Sequence, residues 1–473
     1  MCQIAENVIR SMQDKLGEAK SMYDQRMENW CNEYIQALRA IELTKFNEIS
    51  AKVFEFMDVH TKLTPEQIAK NQDQNKRGAK GDQTRMDILH MVAPSDDILF
   101  GIWANVLSRN QYGYDIKFGN HMCQLPQKQA STQIVLRTLW TSYDYLTPHK
   151  IQDDFVVGGI VDFQMYQFPE QSKQAVKWTM RPILTVEQRL RNIPFPDPSA
   201  HVATDIGVEI KFTLPRHIYM SEDTTEVKIA IWDSEAEQWS HDHTGEVAAF
   251  SFSTRIIKFT TLKFAPMAMQ QSRCTDYPYQ SWKLRCVENT TALLDLQTKR
   301  LKLTFEITPL QLKLVNCEEE SLSHLAEKDN FTPGYLLEEL AKCGILLMPR
   351  NEDAQLAGIE LKDRAAEERA IIDVALGVRA FHFRESKWNQ SRDQANPGVP
   401  PENIVMRIRE NLEFDAEFEE DFEPDWSYVM WWNNKVSFVQ NCRQDQDSCN
   451  ATIASGHLTH ALLSQACEPP YCS

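Results

Sequence analysis

Between residues 155 and 315 the chain carries a succession of short runs in which apolar and polar residues alternate, and this pattern constrains the fold most strongly. Residues 208–214 and 227–232 are two such runs. Alternation with a period of two places apolar side chains on one face of a strand. Turn residues separate the runs, and no helical pattern lies between them to carry a parallel crossover. The stretch therefore predicts an antiparallel β-sandwich or barrel.

Apolar residues at the N-terminus recur mostly at spacings of three, four or seven over residues 4–58. This spacing predicts a long amphipathic helix within residues 1–60. Such a helix needs a surface to pack on, which is either the body of its own chain or another protein. Trp30 and Tyr34 are bulky for the seam of a two-stranded coiled coil. With Leu38 they are our first candidates for partner contact, on a docking helix.

The remaining patterns predict an α+β chain. Residues 61–98 read as a linker with a short helix, and residues 99–316 as a mixed, then mainly antiparallel, β domain. Helical signals return in a C-terminal α+β region over 317–432, where Thr332 caps a helix with Pro333 in its first turn. A further helix is predicted over 362–384. Residues 433–473 form a cysteine-bearing tail.

An acidic arm over residues 410–425 carries nine acids and no Lys or Arg. Aromatic residues interrupt it and follow it. One interpretation is a solvated arm whose aromatic rings pack back on the body of the protein. The other is a docking segment for a basic groove on a partner. The aromatic candidates for partner contact in and after this arm are Phe414, Phe418, Phe422, Trp426 and Trp431.

The net charge of −17 makes nucleic acid and anionic membrane poor partners for the surface as a whole. The N-terminus lacks the basic start and apolar core of a secretory signal. No apolar run approaches the roughly 18 residues of a membrane span. The 11 cysteines are odd in number and scattered, so we expect free thiols in a reducing compartment.

Motifs of catalysis are absent from the sequence. It contains no phosphate loop, nucleophile elbow or zinc-protease pattern, so we predict no catalytic residue, cofactor or metal. His241 and His243 flank Asp242 and could share one face of a strand, where both imidazoles would reach one ion. The other interpretation of these histidines is a polar hairpin turn. A metal-dependent hydrolase using His241 and His243 is the enzymatic alternative.

Residues 277–285 read Tyr-Pro-Tyr-Gln-Ser-Trp-Lys-Leu-Arg and resemble a Pro-Tyr-Gln-Ser-Trp-Glu-Leu-Arg segment of the axonemal dynein intermediate chain seven family, also called the cancer susceptibility candidate one family. Further segments resemble that family in the same order along residues 99–390. One departure is that only residues 148–154 stand where the family carries a long acidic insertion. The other similar segments are 101–105, 141–148, 157–163, 178–181, 332–333 and 386–389.

The resemblance implies a non-catalytic subunit of the axoneme of cilia or flagella, within the cytoskeleton of the cytoplasm. The expected partners are axonemal dynein heavy and intermediate chains, including those of the inner arm, and tubulin of the doublet microtubule. The implied role is that of a scaffold or regulator of motility, with no nucleotide hydrolysis. Trp178 and Trp282 are expected in the core, because aromatic residues in β patterns usually are. A cytosolic β-sandwich adaptor unrelated to cilia is the alternative.

Overall fold

The N-terminal helical periodicity is confirmed, and within residues 2–62 it forms α1 (Cys2–Ser21), α2 (Gln25–Glu55) and α3 (Met57–His60). The computed structural model describes residues 2–21, 24–62, 88–106, 114–147, 153–175, 177–196, 207–220, 228–242, 244–251, 253–288, 290–309, 311–315, 317, 319–329, 331–358, 361–386, 389, 404–411, 426–432 and 435–439.

The expectation of one continuous apolar stripe over residues 4–58 is wrong, because the periodicity is shared between two helices. The side chain of Asp24 accepts a hydrogen bond from the Met27 backbone N–H at 3.0 Å and caps the start of α2. Glu6 near the beginning of α1 pairs with Arg39 well along α2, so the two helices run antiparallel. Chain reversal lets α1 and α2 cover each other as well as the sheets behind them.

The central region is built from strands and two short helices. The strands are β1 (Ile88–Ser95), β2 (Ile98–Ala104), β3 (Tyr114–Phe118), β4 (His121–Leu125), β5 (Ile134–Thr141), β6 (Asp154–Gln167), β7 (Lys173–Ala175), β8 (Trp178–Met180), β9 (Val208–Thr213), β10 (Lys228–Asp233), β11 (Gln238–Ser240), β12 (Thr244–Ser251), β13 (Ile256–Thr261) and β14 (Met267–Ser272). The helices are α4 (Gln127–Ala130) and α5 (Val186–Arg189).

These strands form a β-sandwich. One sheet has the order β1-β2-β5-β6-β14-β10-β11, and the facing sheet has the order β12-β13-β9-β4-β3. Every described pairing within them is antiparallel. Along β9 the residues alternate between buried and half-buried, as the sequence pattern predicts. Apolar side chains from both sheets, among them Phe118, Phe163, Ile210 and Phe259, form the shared core.

The C-terminal region adds a third sheet with helices packed against it. Its strands are β15 (Ser281–Glu288), β16 (Thr291–Gln297), β17 (Lys302–Ile307), β18 (Leu312–Val315), β19 (Phe381–Arg384), β20 (Ile404–Glu410), β21 (Ser427–Trp432) and β22 (Lys435–Val439). Its helices are a 3₁₀ turn (Glu320–Leu322), α6 (Ser323–Ala326), α7 (Pro333–Lys342), α8 (Asn351–Leu356) and α9 (Arg364–Gly377).

This third sheet has the order β18-β17-β16-β15-β19-β20-β21-β22. Its strands come from both sides of the boundary that we predicted between residues 316 and 317. The division of the chain into domains stays a prediction. The helix predicted over 362–384 ends at Gly377, and Phe381–Arg384 form β19 instead. Thr332 caps α7 as predicted. The α+β class is confirmed.

Candidate functional site

Two neighbouring stripes of apolar and polar residues run along α2, and the body of the protein covers one of them. Phe46 stacks on Phe100 of β2 with ring centroids 5.1 Å apart, and Phe54 meets Tyr166 of β6 edge to face at 5.6 Å. Arg137 of β5 donates to Asn47 Oδ1 at 2.6 Å. These contacts fix α2 on the outer face of the seven-stranded sheet. Of the two surfaces considered for the helix, its own chain is therefore the one that covers this stripe.

Solvent reaches the second stripe. Trp30 and Tyr34, one helical turn apart, stack with ring centroids 5.7 Å apart, yet their exposed fractions are 47% and 44%. The stripe spans about 33 Å along the helix axis at 1.5 Å per residue. Leu38 lies beside it and is half-buried. We call the exposed residues the α2 stripe, and its members are Met27, Trp30, Tyr34, Ile41 and Ile49.

A buried ionic cluster holds α2 in the orientation that exposes this stripe. The guanidinium of Arg39 bonds Glu6 of α1 and Glu42 of α2, and its Cζ lies 3.2 Å from the centroid of the Tyr143 ring. Burial raises the pKa of Glu42, although the hydrogen bond from Arg39 acts in the opposite direction. An aromatic face and two carboxylates together compensate for removing the Arg39 charge from water.

A crevice of about 220 Å³ lies beside this cluster, between α1, α2 and the segment that follows β5. Gln13, Gln36, Arg39, Tyr143 and Glu338 are among its lining residues. Residues 143–147, which belong to a segment that resembles the family, form one wall. The crevice therefore lies where the N-terminal helices, the segment after β5 and α7 meet.

The C-terminal candidates are placed differently from the α2 stripe. Trp426 is 7% exposed and Trp431 is 2% exposed, so the body of the protein covers both rings. The Trp431 Nε1–H donates to Asp373 Oδ2 of α9 at 3.0 Å. Trp426 and Trp431 therefore have little side-chain surface left for contact with a partner. Phe414, Phe418 and Phe422 lie outside the described residues.

The histidines of the metal hypothesis are not brought together with further ligands in the described part of the chain. His241 is exposed, and its Nδ1 lies 2.9 Å from the carbonyl oxygen of Ile229. His243 lies outside the described residues. Over the described ranges, no group of three or more His, Cys, Asp or Glu side chains has a metal-binding arrangement. Among the described helices, none combines the length and apolar character that a membrane span requires.

Of the two tryptophans that we predicted to lie in the core, one is buried and the other is exposed. Trp282 of β15 is 3% exposed and packs in the core of the C-terminal region, which confirms its prediction. The prediction for Trp178 is wrong, because its side chain is 78% exposed on β8. Strands β7 and β8 pair only with each other, so the hairpin offers Trp178 no core to enter.

Asp58 of α3 holds the base of this hairpin. Ser172, just before β7, donates to Asp58 Oδ2 at 2.5 Å, and Arg181, just after β8, reaches the same carboxylate at 3.4 Å. The Arg181 Cζ also lies 4.3 Å from the centroid of the Phe56 ring. Burial acts to raise the pKa of Asp58, but Ser172 and Arg181 together hold it below its ordinary value.

The sequence reasoning missed this hairpin as a surface element. Its signal is the charge of residues 173–181, which include Lys173, Lys177 and Arg181 and no acid, in a chain of net charge −17. A local basic run around a tryptophan in an acidic protein is a surface signal, because unpaired charges are rarely buried.

The chain is similar over much of its length to proteins named dynein axonemal intermediate chain 7. It is 26% identical over 313 residues to the protein from Bos taurus, covering 65% of this chain and 41% of that protein. The relative from Danio rerio is 23% identical over 322 residues, covering 65% and 42% respectively. The relative from Homo sapiens is 24% identical over 312 residues, covering 65% and 41%.

The chain thus spans about two fifths of the length of the curated relatives that it matches. No family model matches it. The similarity to these relatives agrees with the ordered segments between residues 99 and 390. By this evidence the chain resembles the dynein axonemal intermediate chain 7 family over about two thirds of its own length.

Proposed function

We propose that this chain is a non-catalytic subunit associated with axonemal dynein in cilia or flagella. The observation that carries the proposal is its similarity to proteins named dynein axonemal intermediate chain 7 over 65% of its length. In this role the chain belongs to the cytoskeleton of the axoneme. It contacts dynein heavy or intermediate chains, and as a scaffold it also contacts tubulin of the doublet microtubule to support motility.

The α2 stripe is the contact surface that we assign to this role. Five large apolar side chains, each between 42% and 52% exposed, lie along one side of a helix that is fixed to the body through its other face. A row of exposed large apolar side chains of this kind is typical of an interaction site. A partner groove can receive a helix at residues spaced three, four and seven apart, which is the spacing of Met27, Trp30, Tyr34 and Ile41. Trp and Tyr are the residue types that most often dominate binding energy.

The buried face of α2 supports the assignment in a second way. Because Phe46, Phe54 and the Arg39 cluster already fix the helix, little backbone freedom is lost when a partner binds. A preformed helix offers Trp30 and Tyr34 as one stacked unit. This arrangement suits a permanent structural contact rather than a segment that folds on binding.

The proposal is tested in ciliated cells that express the tagged full chain in place of their own. We expect the tagged chain on isolated axonemes and, after extraction with high salt, in the fraction that contains dynein heavy chain. The double variant Trp30→Ala with Tyr34→Ala should lose this association. Phe438→Ala is the matched control, because Phe438 is 69% exposed on β22, away from α2.

Two results would contradict the proposal. The first is a wild-type chain that stays in the detergent-soluble fraction and recovers no dynein heavy chain. The second is association that survives the double variant, which would leave the similarity in place but remove the α2 stripe as the contact surface. Binding of purified chain to purified microtubules, with and without dynein, tests the tubulin contact separately.

A further inference from the structure

The hairpin of β7 and β8 exposes an unusual amount of apolar surface for its size. Trp178 is 78% exposed, Met180 is 58% exposed, and Ile183, just beyond the hairpin, is fully exposed. In the antiparallel pairing, Lys173 lies opposite Met180 and Ala175 lies opposite Trp178. Residues that lie opposite each other share a face, so one face of the hairpin combines a tryptophan, a methionine and a lysine.

The charge of the hairpin contrasts with that of the whole protein. Residues 173–181 carry three cations and no acid, whereas the chain has a net charge of −17. Arg181 forms an ion pair with Asp58 at the base of the hairpin. Lys173 and Lys177 are exposed, and neither has an ion-pair partner within the described part of the chain. The two lysines are therefore available to a negatively charged partner beside the exposed indole.

A free two-stranded hairpin is marginally stable in water, so its shape must come from its base. Ser172 and Arg181 flank the two strands, and both bond the same carboxylate of Asp58. Asp58 is 5% exposed and belongs to α3, which directly follows α2. The hairpin is thus held at both ends by one buried acid, and its apolar face is presented in a defined position.

We propose that this hairpin is a second binding element, whose partner is an acidic segment of another protein that places an apolar side chain against Trp178. Complementary charge supplies the attraction and the orientation. The exposed indole supplies the apolar anchor, as tryptophan does at protein interfaces. The inference does not depend on an axonemal role, because it rests on the exposure and charge of the hairpin alone.

An anionic membrane is the other surface that a basic, aromatic hairpin could meet. Lipid recognition by charge typically uses clusters of about four to eight basic residues. The hairpin offers two lysines without an ion-pair partner among the described residues, and the net charge of −17 opposes approach of the whole molecule to an anionic bilayer. The charge distribution therefore favours an acidic protein segment.

The test uses the full chain labelled with 5-fluorotryptophan and observed by fluorine NMR. The probe is a 14-residue glutamate-rich peptide with two leucines, and its counterpart carries glutamine in place of glutamate. We expect the resonance of Trp178, identified with Trp178→Phe, to move saturably with the glutamate peptide and not with the glutamine peptide. The resonance of the buried Trp282 should stay in place.

Two sets of variants extend the test by a parallel measurement with fluorescein-labelled peptide. Lys173→Glu with Lys177→Glu should weaken binding roughly tenfold, since two attractions become two repulsions. Trp178→Ala should weaken it roughly 30-fold. The matched control is Lys258→Glu with Lys302→Glu, which reverses two exposed lysines on other strands and should leave binding unchanged.

Asp58→Asn tests the role of the base, because it leaves every residue of the binding face in place. We expect weaker peptide binding and faster hydrogen exchange in residues 173–181. The proposal is overturned if the Trp178 resonance does not respond to the glutamate peptide, or if the glutamine peptide binds as tightly. Phosphatidylserine vesicles that shift the resonance when the peptide does not would assign the hairpin to a membrane and overturn it as well.

Discussion

Gly17 of α1 and Gly334 of α7 meet where the two helices cross, although 316 residues separate them in the sequence. A Cβ atom built on Gly17 would lie 2.5 Å from the Cα of Gly334, and one built on Gly334 would lie 2.8 Å from the backbone of Gly17. Beside this crossing, Thr332 donates to Asp14 Oδ1 at 2.5 Å. The close approach fixes the N-terminal helical hairpin to the C-terminal region.

Gly17→Ala should therefore destabilise the protein, although alanine favours an exposed helix by about 1 kcal/mol over glycine. The added methyl group collides with backbone, which cannot move aside as a flexible side chain can. We expect loss of 1–3 kcal/mol, the usual range for overpacking, together with faster hydrogen exchange along α1. Urea unfolding and exchange by mass spectrometry measure the two effects. The control is Lys15→Ala on the exposed side of α1, and a stabilised Gly17→Ala would refute the close packing.

Trp178 and Trp282 should respond in opposite ways to the same substitution. Trp282→Ala removes a ring that is 3% exposed and leaves a cavity, so we expect a loss of about 3–5 kcal/mol in the free energy of unfolding. Trp178→Ala removes a ring that is 78% exposed, so the change should stay within about 0.5 kcal/mol. Equal losses in urea unfolding would show that the hairpin packs against the body in solution.

Asp162 of β6 should make the protein less stable as the pH rises through 6. Burial raises its pKa from an ordinary 3.8 to about 6, while Arg137 and the hydrogen bond from Gln164 act in the opposite direction. A raised pKa means that the folded state holds the proton more tightly. The contribution of Asp162 is thus fully present below pH 3.8 and is lost as the pH rises through about 6.

Asp162→Asn is neutral at every pH and should remove this dependence. The difference in unfolding free energy between wild type and variant should change by about 1.4 kcal/mol between pH 5 and pH 7.5. Urea unfolding at the two pH values measures it. Asp242→Asn, at an exposed position, serves as the control and should give the same difference at both. A pH-independent difference for Asp162→Asn would rule out the buried titration.

Arg300 and Asp276 form a buried bidentate pair at the junction of the sandwich with the third sheet. Arg300 Nε and Nη2 donate to the two oxygens of Asp276, each at 2.8 Å, and Nη2 also reaches the Gly344 carbonyl at 2.8 Å. Asp276 is 1% exposed. Arg300→Met leaves the Asp276 carboxylate without its cation and should lower the free energy of unfolding by about 3–5 kcal/mol.

The double variant Arg300→Met with Asp276→Asn should lose less than the sum of the two single variants, because neither charge is then left alone. A double-mutant cycle in urea measures this coupling. Arg364→Ala is the control, because its pair with Glu368 is on the surface and is expected to contribute less than about 1 kcal/mol. Additive losses at Arg300 and Asp276 would mean that the pair does not act as a unit.

Patterns that act over a few residues predicted much of the fold. Alternation along residues 208–214 identified a strand, and Thr332 with Pro333 identified the start of α7. Asp24 could also have been recognised as a helix cap between two amphipathic stretches. This cap divides the predicted single helix into α1 and α2.

For the candidate site, the sequence identified Trp30 and Tyr34 on a helical stripe but could not separate that stripe from its neighbour. Phe46 and Phe54 follow the same helical period on another side of α2, and only the sheet behind them decides which stripe is buried. Trp178 and Trp282 illustrate the same limit, since both stand in β patterns. One strand joins a large sheet, whereas the other pairs only within a small hairpin.

Local elements, the acidic charge and the resemblance to a family can be read from the sequence, because they depend on neighbouring residues and on composition. The tertiary structure alone decided that Gly17 lies against Gly334, that β15 pairs with β19, and which aromatic residues remain in solvent. The physical reason is that burial results from contacts between segments hundreds of residues apart. The pattern of one segment does not predict which of its side chains the rest of the chain will cover.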